Sequence, residues 1–416
     1  GTTTLYKSAD MYSGESFSPD GNYLMVTTIQ KPFSYIVPLN RFPQKTSIYD
    51  LSGTEIKIVN EVPLTEIMPK GFSSVRKGKR SMNWRSDKPA TLYYIEALDE
   101  GDQAKKVDFR DEIFLWEAPF VSNPTSLLKT PQRFAGIIWG NDKIAIAYDD
   151  WYDTRNTKTY LINPSNPSEA PKVIADRNSQ DIYSDPGNFE TIKNQYGRKI
   201  LALENDHAFL LGDGFTKNGQ FPFIDEFNIK TLQSKRVYQS TSTDQKEDLL
   251  SIEDFKKGEV LVMIQSKNDY PNYYFRNIKN KGKLTAITQF ANPFESIKNV
   301  YKEVITYKRK DGVELSGTLY LPANYDRNSK KEKLPLLIWA YPAEFKDKNS
   351  AGQNDKNPNE FTFPNYGSFV YWVTKGYAVL DDAAFPIIGE GKTEPNDTFI
   401  PQLVSNAEAA IDAVDN

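Results

Sequence analysis

Apolar positions alternate with polar ones from Val313 to Leu321, so that Val313, Leu315, Gly317, Leu319 and Leu321 share one face of a strand. A second strand-like run, from Glu303, precedes it, and Asp311-Gly312 stands between the two. Asp-Gly in that position predicts a hairpin with a type I′ turn, which needs positive φ at both central residues. A charged loop is expected from Asn324 to Lys333. The run Leu334–Trp339 is then apolar without alternation, as in a strand buried on both faces of a sheet. A helix over Tyr366–Lys375, a stop at Gly376, a strand over Tyr377–Leu380 and a Gly-containing loop over Pro386–Gly391 follow. Finally, Leu403, Val404, Ala407, Ala410, Ile411 and Val414 recur at helical spacing within Pro401–Val414. Strand and helix alternate here, which predicts an α/β architecture.

Residues 1–295 read differently. Short strands separated by turn clusters recur in five groups. The first holds Ser16–Val26, with Pro19-Asp20-Gly21 as a tight turn, then Thr46–Asp50 and Ile56–Val59. The second holds Ser81–Trp84, Thr91–Ile95 and Glu112–Trp116, and the third Gly136–Trp139, Lys143–Tyr148 and Lys158–Ile162. The fourth holds Ile200–Leu203, Ala208–Leu211 and Ile224–Ile229, and the fifth Glu259–Ile264, Tyr273–Ile278 and Leu284–Ile287. Each group is long enough for one four-stranded propeller blade. The fold class expected is therefore an incomplete β-propeller over 1–295, followed over 296–416 by the first part of an α/β-hydrolase domain. A long β-sandwich with insertions is the competing arrangement.

Composition narrows the chemistry. The 416 residues are 39% hydrophobic and 13% aromatic, enough for more than one core, and the net charge of −4 argues against a general nucleic-acid binder. With no Cys there is no disulfide, thiol nucleophile or Cys-ligated metal. No apolar run approaches membrane-spanning length. The opening Gly1-Thr2-Thr3-Thr4 and the end on a helix are expected to mark a segment of a longer chain. Lys and Asn usage suggests a bacterial protein. There is a single His, His207, so any Ser-His-Asp triad within this stretch would have to use it. A nucleophile elbow needs G-x-S-x-G, and the sequence has none; Gly71-Phe72-Ser73-Ser74-Val75 fails at the last position. Glu390, Glu394 and Asp397 lie close together, but without His or Cys they read as a solvated acidic loop rather than a metal site. No metal or cofactor is called for.

Longer phrases carry a resemblance. DGVELSGTLYLP (311–322) and LPLLIWAYP (334–342) resemble the entrance to the catalytic domain of the prolyl oligopeptidase family of serine peptidases. KPFSYIVPLNRFP (31–43), SSVRKGKRSMNWRSDKPATLYYIEALDEGD (73–102), AYPAEFKDKNSAGQNDKNPNEF (340–361) and PIIGEGKTEPNDTFIPQLVSNAEAAIDAV (386–414) are similar to its glutamyl endopeptidase branch, known from chloroplasts and bacteria. Many relatives carry N-x-R-G-x-G where this chain has Pro386–Gly391 without the Arg, which favours that branch.

The resemblance implies a propeller, commonly of seven blades, that covers a hydrolase site and restricts access to peptides. It implies peptide substrates, no cofactor, a periplasmic or secreted rather than cytoplasmic location for a bacterial member, and a triad in the order Ser, Asp, His beyond Asn416, so that the stretch alone is expected to be inactive. It also implies a role for Tyr341, as the hydroxyl that donates to the developing oxyanion. Arg76, Lys77, Arg80 and Arg85, with Arg41 and Lys79, form a basic cluster suited to recognising a Glu side chain. Cleavage after Glu or Asp is the leading function. An amino- or dipeptidyl-peptidase of the same family and a non-catalytic peptide-binding propeller are the alternatives.

Overall fold

Turn chemistry sets the meander that fills the first part of the chain. In Ser18-Pro19-Asp20-Gly21 the Gly21 N–H donates to the Ser18 carbonyl at 2.9 Å, and Asp20 accepts from the Ser18 hydroxyl and the Asn22 N–H. Proline fixes φ at the second turn position and Gly21 takes φ +75° at the fourth. The strands on either side, Tyr12–Phe17 and Tyr23–Ile29, therefore pair antiparallel. The computed structural model describes residues 5–280, 282–326 and 333–415. Part of the charged loop expected at Asn324–Lys333 lies outside them, at 327–332.

Five four-stranded antiparallel sheets follow one another, and among the described residues none is closed. Gln44–Asp50 and Glu55–Val62 complete the first sheet. The second is Arg80–Trp84, Thr91–Ala97, Asp111–Glu117 and Thr125–Thr130. The third is Arg133–Asn141, Ile144–Trp151, Asn156–Ile162 and Lys172–Asn178. The fourth is Asn188–Phe189, His207–Gly212, Phe223–Asn228 and Gln233–Gln239. The fifth is Lys246–Asp254, Glu259–Gln265, Asn272–Asn277 and Lys283–Ala286. Apolar faces of successive sheets meet. Ile48, Val59, Leu92 and Phe120 join the first to the second; Ile113, Leu128, Trp139 and Ala145 join the second to the third. Ile224, Val260 and Val262 do the same for the fourth and fifth.

One expected strand sits elsewhere. Ile200–Leu203 does not belong to the fourth sheet: Lys199–Leu201 pairs with Thr191–Lys193 in a separate hairpin. Leu201 and Ala202 are buried there, with Leu201 against Gly140 of the third sheet. The chain accordingly divides into two compact units, residues 1–177 with 191–203, and residues 178–190 with 204–416.

Within the second unit the antiparallel meanders give way to a mixed sheet in the order Tyr301–Lys308, Glu314–Leu321, Ala378–Ile388, Leu336–Phe345. The last two strands are parallel. The Asp311-Gly312 hairpin forms, but not with a type I′ turn. Only Gly312 has positive φ, +86°; its N–H donates to the Arg309 carbonyl at 2.8 Å and the Arg309 N–H donates to Val313. This is a three-residue loop ending in a glycine bulge. Both parallel strands outrun the sequence reading, to Phe345 and Ile388. Pro386, which has no N–H to give a ladder, lies beyond the stretch Val379–Asp381 where Glu314–Leu321 pairs with this strand, and its carbonyl accepts from Arg309 Nη1 at 3.2 Å and Asn406 Nδ2 at 3.0 Å. The strand buried on both faces is Ala378–Ile388, where Val379 and Leu380 are sealed. Leu336–Phe345 is instead one of the two edge strands among the described residues and only half-buried. One face of the sheet packs on the helix Phe399–Asp415 through Leu403, Ala407, Ala410 and Val414. The other packs on Phe369–Lys375, a 3₁₀ helix rather than an α-helix, through Val370 and Val373. No helix among the described residues is long and apolar enough to cross a membrane.

Candidate functional site

Tyr341 lies midway along Leu336–Phe345, opposite Ala384 of the parallel neighbour, and is 82% exposed. The ladder is irregular just before it, between Ile338 and Ala340, where Asp382 takes φ +49°. The extra residue is on Ala378–Ile388, where Asp381 and Asp382 together oppose Trp339, so the bulge re-aims the side chains that follow on that neighbouring strand. The Tyr341 hydroxyl makes no hydrogen bond among the described residues, so its donor capacity is uncommitted. Two residues earlier, Trp339 stacks on Phe369 with ring centroids 4.6 Å apart.

The basic cluster belongs to the first unit and is built on the loop that enters the second sheet. Ser73 anchors that loop. Its N–H donates to Gln103 Oε1 at 2.8 Å, its hydroxyl accepts from the Tyr152 N–H at 3.1 Å, and its carbonyl accepts from Arg133 Nε at 2.7 Å. The Val75 N–H donates to the Gly101 carbonyl at 3.0 Å. Gly101 has φ +82°, and a Cβ there would meet the Val75 carbonyl at 1.9 Å, so only glycine admits this approach.

The expected carboxylate-binding residues then sort into different roles. Arg80 pairs with Asp111, which is fully buried. Asp111 also binds Arg133 at 3.0 Å, and Arg133 and Arg110 both bind Asp99, at 2.7 and 2.9 Å. Three guanidinium groups thus share two buried carboxylates. Burial works to raise the Asp99 carboxyl, but hydrogen bonds from Arg110 and Arg133 outweigh it and hold it below the ordinary range. Burial pulls the Arg80 guanidinium down against the opposing effect of Asp111. Arg85 is buried, bidentate to Asp87 at 2.7 and 3.0 Å, and stacked 4.3 Å over Trp139. Arg80 and Arg85 are thereby occupied by the protein's own carboxylates. Lys79 donates to the Val59 carbonyl at 3.1 Å and lies over Tyr94 and Trp116. Lys77 is exposed, 3.7 Å from Glu100.

Arg76 and Arg41 differ. The Arg76 guanidinium donates to the Lys79 carbonyl and has no carboxylate partner among the described residues; burial and then Arg80 push it down. Arg41 ends the one-turn helix Leu39–Arg41, and its side chain makes no ion pair among the described residues.

The remaining candidates are structural. His207 begins a strand, with Nδ1 2.9 Å from the Asn205 carbonyl and Nε2 3.1 Å from the Asn228 amide. Glu394 and Asp397 cap a short helix reciprocally, Glu394 also pairs with Lys346 at 3.1 Å, and Glu390 accepts from the Lys348 N–H at 3.1 Å. The composition pointed to no such use, because capping depends on local backbone rather than residue type alone. Sequence reasoning also missed the buried network. Its members Asp99, Arg110 and Arg133 are dispersed among ordinary charged positions, and only the sheet register brings them together.

No protein-family model matches the chain. Over 97% of its length it is 40% identical to a protein of Oryza sativa named "Probable glutamyl endopeptidase, chloroplastic", and 38% identical to the protein of that name from Arabidopsis thaliana. It spans 44% and 43% of those two proteins, less than half of either. Both relatives are plant proteins named chloroplastic, which lends no support to the bacterial source expected from Lys and Asn usage or to the exported setting that the resemblance implied. Among solved structures, Pyrococcus horikoshii acylaminoacyl peptidase matches 96% of the chain and 56% of its own length, at TM-score 0.50 and 13% identity, a likeness of fold. Phrases that resemble one branch in both architectural parts, relatives at this identity across nearly every residue, and a fold shared with a peptidase converge: the chain is similar along nearly its whole length to the proteins named glutamyl endopeptidases.

Proposed function

We propose that the protein is a serine peptidase that cleaves peptides after Glu or Asp, with this stretch contributing the substrate-selecting part and the first strands of the catalytic sheet. The observation that carries this reading is the 40% identity over 97% of the chain to a protein named for glutamyl endopeptidase activity. On this reading the five antiparallel sheets, within 1–295, are blades of a propeller that restricts access to peptides, and 296–416 opens the hydrolase domain. Tyr341 donates to the oxyanion of the tetrahedral intermediate. Its uncommitted hydroxyl supports this role, since a phenol is a neutral donor that holds its place without a counter-charge. Arg76 recognises the substrate carboxylate. A partly desolvated guanidinium with no carboxylate of its own is the member of the cluster that gains most from an incoming one.

The test is the cleavage of matched peptides by the full-length protein. Glu and Asp substrates should be cut and the Gln analogue spared; equal cutting of Glu and Gln would overturn the specificity. The 416-residue stretch alone, having no G-x-S-x-G, should stay unlabelled by a fluorophosphonate probe, and stoichiometric labelling at any of its serines would contradict the assignment.

A further inference from the structure

A cavity of about 380 Å³ opens in the second unit, beside the chain that leads from the fifth sheet into the mixed sheet. Its size is that of a small-molecule site. Lys302, Lys267 and Lys298 line it, together with Tyr320 and Phe361. Lys302 is directly opposite Tyr320 in the antiparallel ladder, and its ammonium lies 5.7 Å from the centre of that ring.

The ammonium is only partly satisfied. It donates to the Glu360 carbonyl and, at 3.0 Å, to Thr362 Oγ1, which itself bonds the Tyr320 hydroxyl at 2.9 Å. An ammonium has three protons, and the third has no acceptor among the described residues. No carboxylate lies within ion-pair distance of Lys302 among them either. The side chain of Glu360 is taken by Lys246 at 2.9 Å. Lys298 has Glu295 at 3.4 Å, and Lys267, which is exposed, has no ion pair among the described residues. A cation withdrawn from water without a counter-ion is costly unless something pairs with it.

We infer that this cavity is a binding site for a small organic carboxylate, which pairs with Lys302 at the inner end and lays an apolar body against Tyr320 and Phe361. A monoanionic carboxylate fits better than phosphate. The site has a single desolvated ammonium and an aromatic wall, and a dianion would lose more hydration for the same one inner partner. Burial pushes the Lys302 ammonium down to about 8, against pulls from Glu360 and Asp381 and with small reinforcement from Lys246 and Lys267. A bound carboxylate should reverse that depression. The inference is independent of the peptidase reading, because Tyr341 and the basic cluster do not line the cavity.

Calorimetric titration of the full-length protein tests it, using benzoate, benzamide, N-acetyl-dialanine and the C-terminal amide of that dipeptide. Each acid should bind at least tenfold more tightly than its amide. Lys302→Met should abolish the difference, and Lys267→Ala should weaken the acids severalfold without moving the melting temperature. Benzoate binding as tightly as the dipeptide acid would assign the site to free organic acids; a tighter dipeptide acid would assign it to peptide ends, and either supports the inference. Equal binding of acids and amides, retention of the preference in Lys302→Met, or tighter binding of inorganic phosphate would overturn it. Should Lys302→Met fail to fold, the ¹³C-dimethylated Lys302 signal of the wild-type protein decides. Its titration midpoint must rise when an acid is saturating, and an unmoved midpoint refutes the site.

Discussion

Asp149 Oδ2 accepts a hydrogen bond from the Tyr160 hydroxyl at 2.9 Å and one from the Gln132 N–H at 3.1 Å, while its second oxygen is buried with no partner among the described residues. Burial pushes this carboxyl up to about 6, although Tyr160 and the Gln132 N–H pull the other way. The folded protein therefore holds the proton more tightly than the unfolded chain. The stability it contributes is complete below pH 4 and lost as pH rises through 6. Asp149→Asn removes the charge and keeps the shape. It should raise the melting temperature at pH 7.5, by an equivalent of about 1–3 kcal/mol, and leave it nearly unchanged at pH 4. A variant less stable than wild type at pH 7.5 would refute this account.

Arg133 holds Asp99, Asp111 and the carbonyls of Ser73 and Arg110 together. Arg133→Met fills the space but leaves each buried carboxylate with a single guanidinium, Asp99 with Arg110 and Asp111 with Arg80. Removing one member of such a buried network typically costs about 3–5 kcal/mol. Denaturant unfolding should show that loss. Because Asp99 lies below the ordinary carboxylate range, its stabilisation is present above pH 4 and disappears as pH falls further. The variant should accordingly differ less from wild type in acid.

Arg76 and Arg80 are only four residues apart yet should respond differently. Arg76→Ala should lower kcat/KM for Glu peptides by an order of magnitude or more, through KM, with little change in melting. Arg80→Ala should destabilise the first unit, because Asp111 then loses a partner. A melting loss in Arg76→Ala with unchanged specificity would reverse the assignment.

Tyr341→Phe keeps the ring and removes the donor. In the full-length protein it should cost on the order of 10²–10³ in kcat, about 2.7–4 kcal/mol, with KM and stability little changed. Full kcat in the Phe variant would remove Tyr341 from the mechanism.

Much of this architecture is written in local pattern. The Pro-Asp-Gly turn, the alternation over Val313–Leu321 and the helical spacing of Leu403, Ala407, Ala410 and Val414 each report a face that packing then uses. What the sequence hid depends on partners distant along the chain. Ile200–Leu203 reads as a strand of the fourth group, yet Lys199–Leu201 pairs with Thr191–Lys193 and Leu201 is buried against Gly140 of the third sheet. The outer strands Thr125–Thr130, Lys172–Asn178, Gln233–Gln239 and Lys246–Asp254 carry too many charged and polar residues to stand out. The basic cluster was legible as a list of cations. Which cations are occupied was not, because Asp87, Asp99 and Asp111 look no different from surface acids until they are buried. Lys302 was invisible for the same reason: a lysine in an alternating strand gives no hint that its head group is withdrawn from water.

The chain passes between its two compact units three times, after residues 177, 190 and 203. A ribosome therefore cannot finish the first unit when residue 177 emerges. That unit waits for the Thr191–Leu201 hairpin, while the thirteen residues just made, 178–190, belong to a unit whose remainder is still untranslated. Some of these residues stay unpaired longest: Gln180 and Ile182 find their partners Glu344 and Gln353 only after more than 160 further residues have been added. During synthesis this short segment is therefore exposed to wrong pairings until those partners have been made.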